Sequence, residues 1–229
     1  MIKKYAVLLL LGAFALMLLP FVTEVTPFEE LSPVAQKYVK DGPDELGSAN
    51  LVSSVIVTYR GLDTLGEVAV LFIAAAGVGF MLRRKGDVKK SLRREASGIL
   101  RSGTVFLFPL VLLYGIYIFL HGHLTPGGGF QGGVVIASGI VLLLLADVSA
   151  KINGTVLQWI ESLSGAVYVA LGVLGIVLAA GFLDNRILPA GEFGRLLSAG
   201  AIPLIYSLIG LKVGAELVGI IDSMQKDEL

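Results

Sequence analysis

Two pairs of ionisable residues stand four positions apart inside long apolar stretches, the spacing that puts both members on one face of a helix. Asp63 and Glu67 open one stretch, and Lys212 and Glu216 interrupt another. A charged side chain at the centre of a membrane helix costs about 2.5–3.5 kcal/mol on insertion scales, so such groups are the first candidates for ion chemistry. Glu67 is followed by VAVLFIAAAGVGFML and lies roughly 7 Å below the start of its helix at 1.5 Å per residue. At that depth a carboxyl is expected to be buried, with a raised pKa suited to exchanging protons. The alternative is an acid at a helix entry, favoured there by the helix dipole, and Asp63 suits that reading. Lys212 falls near the middle of the last stretch. A buried lysine beside a carboxylate can pass protons when desolvation lowers its pKa, or the two can form a fixed ion pair between helices. Glu161 reads as interfacial.

The string HGHLTPGGGFQGG contributes His121, His123, Pro126, Gly127, Gly128, Gly129, Gly132 and Gly133. Proline and successive glycines predict a helix break, and the glycines permit close backbone approach. No Gly-Lys-Ser/Thr ending follows and no strand precedes, which removes a phosphate loop. Two histidines without further ligands do not make a metal site; they are candidates for capping a helix end or titrating at a pathway entrance. Gly210 and Gly214 bracket Lys212 with a GxxxG spacing that favours close helix contact.

These residues need elements to hold them, and the composition says which kind. Of 229 residues 55% are hydrophobic and 16% charged, against about 25% charged in soluble domains. The excess lies in runs long enough to cross a bilayer. The expected architecture is all-α, with six spans: Tyr5 to Val22, Leu62 to Leu82, Ser102 to Leu120, Gln131 to Ala146, Val156 to Leu183 and Ala199 to Ile221. SANLVSSVIVTY, from Ser48 to Tyr59, is too short to cross and reads as a helix on the outer interface or against a partner, or as a strand. With both termini cytoplasmic, twelve Lys and Arg fall inside and five outside, with Lys212 within a span; the excess follows the positive-inside rule. Glu24, Glu29, Glu30, Asp41, Asp44 and Glu45 then lie outside. The first span is expected to be an uncleaved anchor, since no small-x-small site follows it. The C-terminal KDEL and the Asn153-Gly154-Thr155 sequon both fall on the predicted inner side and are read as chance matches. Net charge is zero, so nothing points to nucleic acid; cysteine is absent, so no disulfide and no cysteine-held iron–sulfur or zinc site is expected, and no cofactor.

Asn50 to Val78, NLVSSVIVTYRGLDTLGEVAVLFIAAAGV, resembles the C-terminal membrane segment of the large A subunit of Mrp-type multisubunit sodium/proton antiporters. HGHLTPGGGFQGG and the later LIGLKVGAEL resemble the small B subunit of the same systems. Related segments occur in the membrane arms of energy-converting hydrogenases and of sulfur-reducing or formate-linked complexes. The resemblance implies two joined modules, 1–95 and 96–229, with the basic run RRKGDVKKSLRRE at the junction. It implies a non-catalytic subunit in a prokaryotic cytoplasmic membrane, with other Mrp-like membrane subunits, and hydrogenase-like or other redox subunits, as partners. It also implies that the acid of DTLGE, Glu67, belongs to an ion route. The rival expectations are a structural adaptor whose charges are fixed pairs, a self-sufficient carrier, and an intramembrane hydrolase. The halves show no internal repeat to support a carrier, and no serine–histidine or paired-aspartate setting supports a hydrolase.

Overall fold

Apolar runs this long can cross a bilayer only as helices, because helical backbone satisfies its own hydrogen bonds. The computed structural model bears this out over the residues it describes, 2–23, 30–82, 96–147 and 149–227: most of them are helical, and none lies in a strand. The helices are α1 (Ile2–Thr23), α2 (Pro33–Leu46), α3 (Leu51–Ser54), α4 (Gly61–Met81), α5 (Gly98–Leu120), α6 (Gly129–Ala146), α7 (Gly154–Leu178) and α8 (Ile202–Asp227). A π-helical turn, Val55–Tyr59, follows α3, and a short 3₁₀ turn, Asn185–Ile187, lies between α7 and α8. Six of them, α1 and α4 to α8, are long and apolar enough to cross a membrane. The basic run from residue 83 to 95, with Glu24 and Glu29, lies outside the described residues. So do the last two residues of KDEL.

The chain divides into two compact units, Met1–Lys37 and Tyr38–Leu229. In the first, the side chains described along α1 are exposed throughout. In the second, α8 is the central helix. Ile202, Ile205, Ile209, Val213 and Glu216 recur at helical spacing and are each 2% exposed or less. Helices α4, α5, α6 and α7 pack around it.

Glycine sets how closely they approach. A Cβ on Gly132 would stand 2.7 Å from the Gly115 carbonyl oxygen of α5. On the other side of α6, a Cβ on Gly133 would stand 2.8 Å from the Gly210 oxygen and 3.0 Å from the Gly214 nitrogen of α8. Helix α6 begins at Gly129, two residues before its predicted start at Gln131, so Gly129, Gly132 and Gly133, expected in the break, lie within the helix and only 121–128 form the break. Gly128, at φ 153°, takes a conformation that side chains disfavour.

The fifth span ends at Leu178 rather than Leu183. The chain folds back there, with the Phe182 ring over Gly172, where a Cβ would lie 2.3 Å from the ring. Asp184 fastens the return by accepting from the Ala180 and Arg186 backbone N–H groups at 3.2 and 3.0 Å. Helix α2 has no counterpart among the elements expected from the sequence. Its start is capped by Ser32, whose Oγ accepts from Ala35 N at 3.2 Å.

Candidate functional site

Lys212 lies about 15 Å along α8 from its start, near the middle of the helix. Its Nζ is 2.7 Å from Glu216 Oε1, with the two side chains 12% and 0% exposed. The contact is short, but neither Glu216 oxygen has a partner in hydrogen-bond geometry among the described residues. The pair is thus held by charge and enclosure, with acceptor capacity to spare. Two other helices shape the place. The Lys212 ammonium sits 5.0 Å from the centre of the Phe72 ring of α4, a cation–π contact. Its stem runs along Gly165 of α7, where a Cβ would stand 3.4 Å from Cδ and 3.5 Å from Nζ. Glu161, expected at the interface, is half-buried on α7 and within electrostatic reach of Glu216.

Glu67 is the seventh residue of α4, about 9 Å from its start. The burial expected for it is not found: the residue is exposed on the chain's own surface. The cause is register. Thr64 and Val68, each 2% exposed, carry the buried face of α4 and leave Glu67 at its edge. Asp63, one turn earlier, is paired with Arg60 at 2.5 Å, both side chains more than half exposed.

Arg60 and Asp63 form one wall of an open cleft of about 690 Å³, lined also by Glu45, Tyr59, Asp184 and Arg186. Tyr59 donates its hydroxyl hydrogen bond to the Glu45 carboxylate. Burial, and then the adjoining Glu45, push the Tyr59 phenol up from its ordinary pKa. The Arg186 guanidinium, donating from Nε to both Asp184 oxygens at 2.8 and 3.1 Å, holds the Asp184 carboxyl below its usual range.

The break between α5 and α6 is where the two most distinctive strings of the sequence meet. Carbonyls at the end of α5 lack helical donors, and residues before α4 supply them. Asn50 donates from Nδ2 to the Gly122 and Thr125 oxygens at 2.8 and 2.9 Å. Its backbone N donates to the His123 oxygen at 2.9 Å, as does Ser48 Oγ. Ser53 Oγ donates to the Gly122 oxygen. The predicted Ser48–Tyr59 helix thus docks on this turn of its own chain. His121 caps α5 and stacks on Tyr117, ring centres 4.1 Å apart. His123 is 0% exposed, with Nε2 3.2 Å from the Arg195 oxygen and Nδ1 unpartnered. Burial holds its imidazole below its ordinary pKa. Pro126 is exposed at the tip of the turn and Gly127 packs on the Ile118 backbone.

The structure therefore brings Lys212, Glu216, Glu161 and Phe72 together among α4, α7 and α8. The two histidines belong to the turn at the α5–α6 end. Sequence reasoning missed Tyr168 of α7, which is 2% exposed with an unpartnered hydroxyl and within electrostatic reach of Glu67. A polar atom inside an apolar run was its only signal. Asn185 was missed too; it is 1% exposed and donates to the Leu46 and Ala199 oxygens at 3.0 and 3.1 Å. Among the described residues no group of three or more His, Cys, Asp or Glu could hold a metal.

Comparison with known proteins places this arrangement. A family model described as a domain related to the MnhB subunit of Na+/H+ antiporters matches residues 99–219, and one described as the E subunit of MBH matches residues 3–97. A chain in the structure of the membrane-bound sulfane sulfur reductase, an archaeal respiratory membrane complex, superposes with a TM-score of 0.82 at 40% identity, covering 98% of each chain. A chain of the Mrp complex from Dietzia sp. DQ12-45-1b does so with a TM-score of 0.75 at 25% identity, over 97% of this chain and 25% of that one. A Rhizobium meliloti protein described as a probable A/B subunit of a K(+)/H(+) antiporter is 27% identical over 88% of this chain, which spans 22% of that relative's length.

Proposed function

Because the chain belongs to the family of domains related to the MnhB subunit of Na+/H+ antiporters, we propose that it works without catalysis of its own, in a multisubunit cation/proton antiporter module, and lends that module part of a proton or sodium path. Glu67 loads and releases protons, and Lys212 with Glu216 relays charge or holds the local field. The observation that carries this reading is the Lys212–Glu216 pair. It sits midway along the most buried helix, with its carboxylate side chain 0% exposed and short of donors. A group so placed is costly unless it has work or a mate.

The partners are other membrane subunits of an Mrp-like module. Glu67 supports that: a carboxylate within a span and exposed at the side of its own chain calls for cover by a neighbouring subunit. The likeness to a sulfane sulfur reductase chain adds redox subunits as partners, with the electron chemistry in those subunits. The membrane is the cytoplasmic membrane of a prokaryote, with both termini inside, and residues 1–95 and 96–229 correspond to A-like and B-like modules. The test is Glu67→Gln in the intact complex. Cation–proton exchange across sealed vesicles should fall, and an unchanged rate removes Glu67 from the mechanism.

A structural adaptor is the second reading, favoured by the glycine-lined contacts of α6 and by the fixed geometry of the ion pair. It predicts that Lys212→Ala and Glu216→Ala impair assembly on native gels. Pathway variants instead assemble and fail to transport.

A further inference from the structure

Among the buried polar side chains of α4 and α7, Tyr168 is left unused by the pathway reading. Tyr168 is buried on the stripe of α7 that faces the core, with Ser164, Gly172 and Gly175. Its hydroxyl has no hydrogen-bond partner among the described residues. Its place follows from the two residues that flank the ammonium. Gly165, against which the end of Lys212 lies, is three positions before Tyr168, so the two share a side of α7 about 4.5 Å apart along the axis. Helix side chains lean toward their own N-terminus. The phenol therefore leans back toward the level of the Lys212 amine. On α4, Phe72 holds the same amine at 5.0 Å, and the buried Val68 lies one turn before Phe72. Glu67 adjoins Val68, about 7.5 Å along α4 from Phe72. Glu67 is in electrostatic reach of the phenol.

We propose that the Tyr168 hydroxyl is the link that passes protons between Glu67 and the Lys212–Glu216 pair. The inference rests on the pathway reading above and supplies the step that reading lacks. A phenol is donor and acceptor at once, and it is neutral, so it can be enclosed where a third charge could not. The transfer balances as follows. Across a bridging water on each side, the phenol oxygen gains a proton from the Lys212 ammonium while its own O–H proton passes to the Glu67 carboxylate. Tyr168 is neutral before and after, Lys212 is left as an amine, and Glu67 as a carboxylic acid. Lys212 is reloaded from the Glu216 side, where Glu161 lies within electrostatic reach.

The test compares three variants of the intact complex in sealed vesicles: Tyr168→Phe, Glu67→Gln, and fluorotyrosine placed at position 168. Tyr168→Phe removes the hydroxyl and keeps the ring. Exchange should drop by about a hundred-fold or more, the effect of losing a proton-transfer group, while the complex assembles. Fluorotyrosine keeps the shape and makes the phenol more acidic, so a linking hydroxyl should change the rate, whereas a packing role should leave it unmoved. If Glu67→Gln abolishes exchange and Tyr168→Phe does not, the tyrosine link is wrong and the pathway stands. If neither changes exchange, the pathway reading itself has failed. If Tyr168→Phe does not assemble, the fluorotyrosine rate decides, and an unchanged rate overturns the link.

Discussion

Gly133→Ala puts the α6–α8 contact to a quantitative test. The new methyl would stand 2.8 Å from the Gly210 oxygen, 2.9 Å from Val213 Cβ and 3.0 Å from the Gly214 nitrogen. Carbon contacts settle at about 3.5–4.0 Å, so α6 and α8 must part by roughly 0.6 Å or more. Two of the three obstacles are backbone, which cannot rotate away. A gap of about 0.5–1 Å forfeits a quarter to a half of each dispersion contact along the seam, and overpacking of this kind costs about 1–3 kcal/mol. At about 2–4 °C per kcal/mol for a chain of this size, the melting midpoint should fall by several degrees. Gly103→Ala on α5 is the control. Its Cβ meets nothing within 4 Å, and alanine in place of a mid-helix glycine favours the helix by about 1 kcal/mol. The assay is thermal melting of the purified complex, followed as retention of this chain. Equal midpoints for the two variants would refute the claim that bare backbone sets the α6–α8 spacing.

The buried pair gives a second expectation. Lys212→Ala leaves the Glu216 charge enclosed without a mate, which costs about 3–5 kcal/mol, whereas Lys212→Met with Glu216→Gln should come close to neutral; melting of the three proteins checks the ranking, and a double variant as unstable as the single one would contradict it. His123 makes stability depend on pH. Its folded pKa is lowered by burial, so below its ordinary value of about 6.5 the unfolded chain binds the extra proton. Stability is full above about 6.5 and declines as the pH falls through that value toward the lowered one. His123→Gln should flatten the decline between pH 7 and 5 in denaturation curves.

The spans were legible because apolar length is a one-dimensional property. All six spanning helices begin within four residues of their expected starts. The departures lie elsewhere. Helix α7 stops early because Phe182 folds back over Gly172, a contact that no local pattern announces. Helix α2 carries no long apolar run, so nothing marked it. Lys212 and Glu216 stood out as charges in an apolar stretch, but their enclosure by Phe72 and Gly165 belongs to other helices. Glu67 shows the limit of depth as a guide. Counting residues along α4 locates it on the axis, yet only the packing of Thr64 and Val68 reveals that it sits at the edge of the buried face.

The hydrogen bonds from Asn50, Ser48 and Ser53 to the carbonyls of the α5–α6 turn bear on how the two matched regions hold together. The region that matches the E subunit of MBH ends at 97 and the MnhB-related domain begins at 99, yet the compact unit runs from Tyr38 to Leu229 across that seam. The grip between the two regions is made by side chains at the C-terminal end of α5, opposite its start at Gly98. The covalent link therefore adds a tether to regions already clasped. What the link fixes is the one-to-one ratio of the two matched regions, while their fit is set by the clasp.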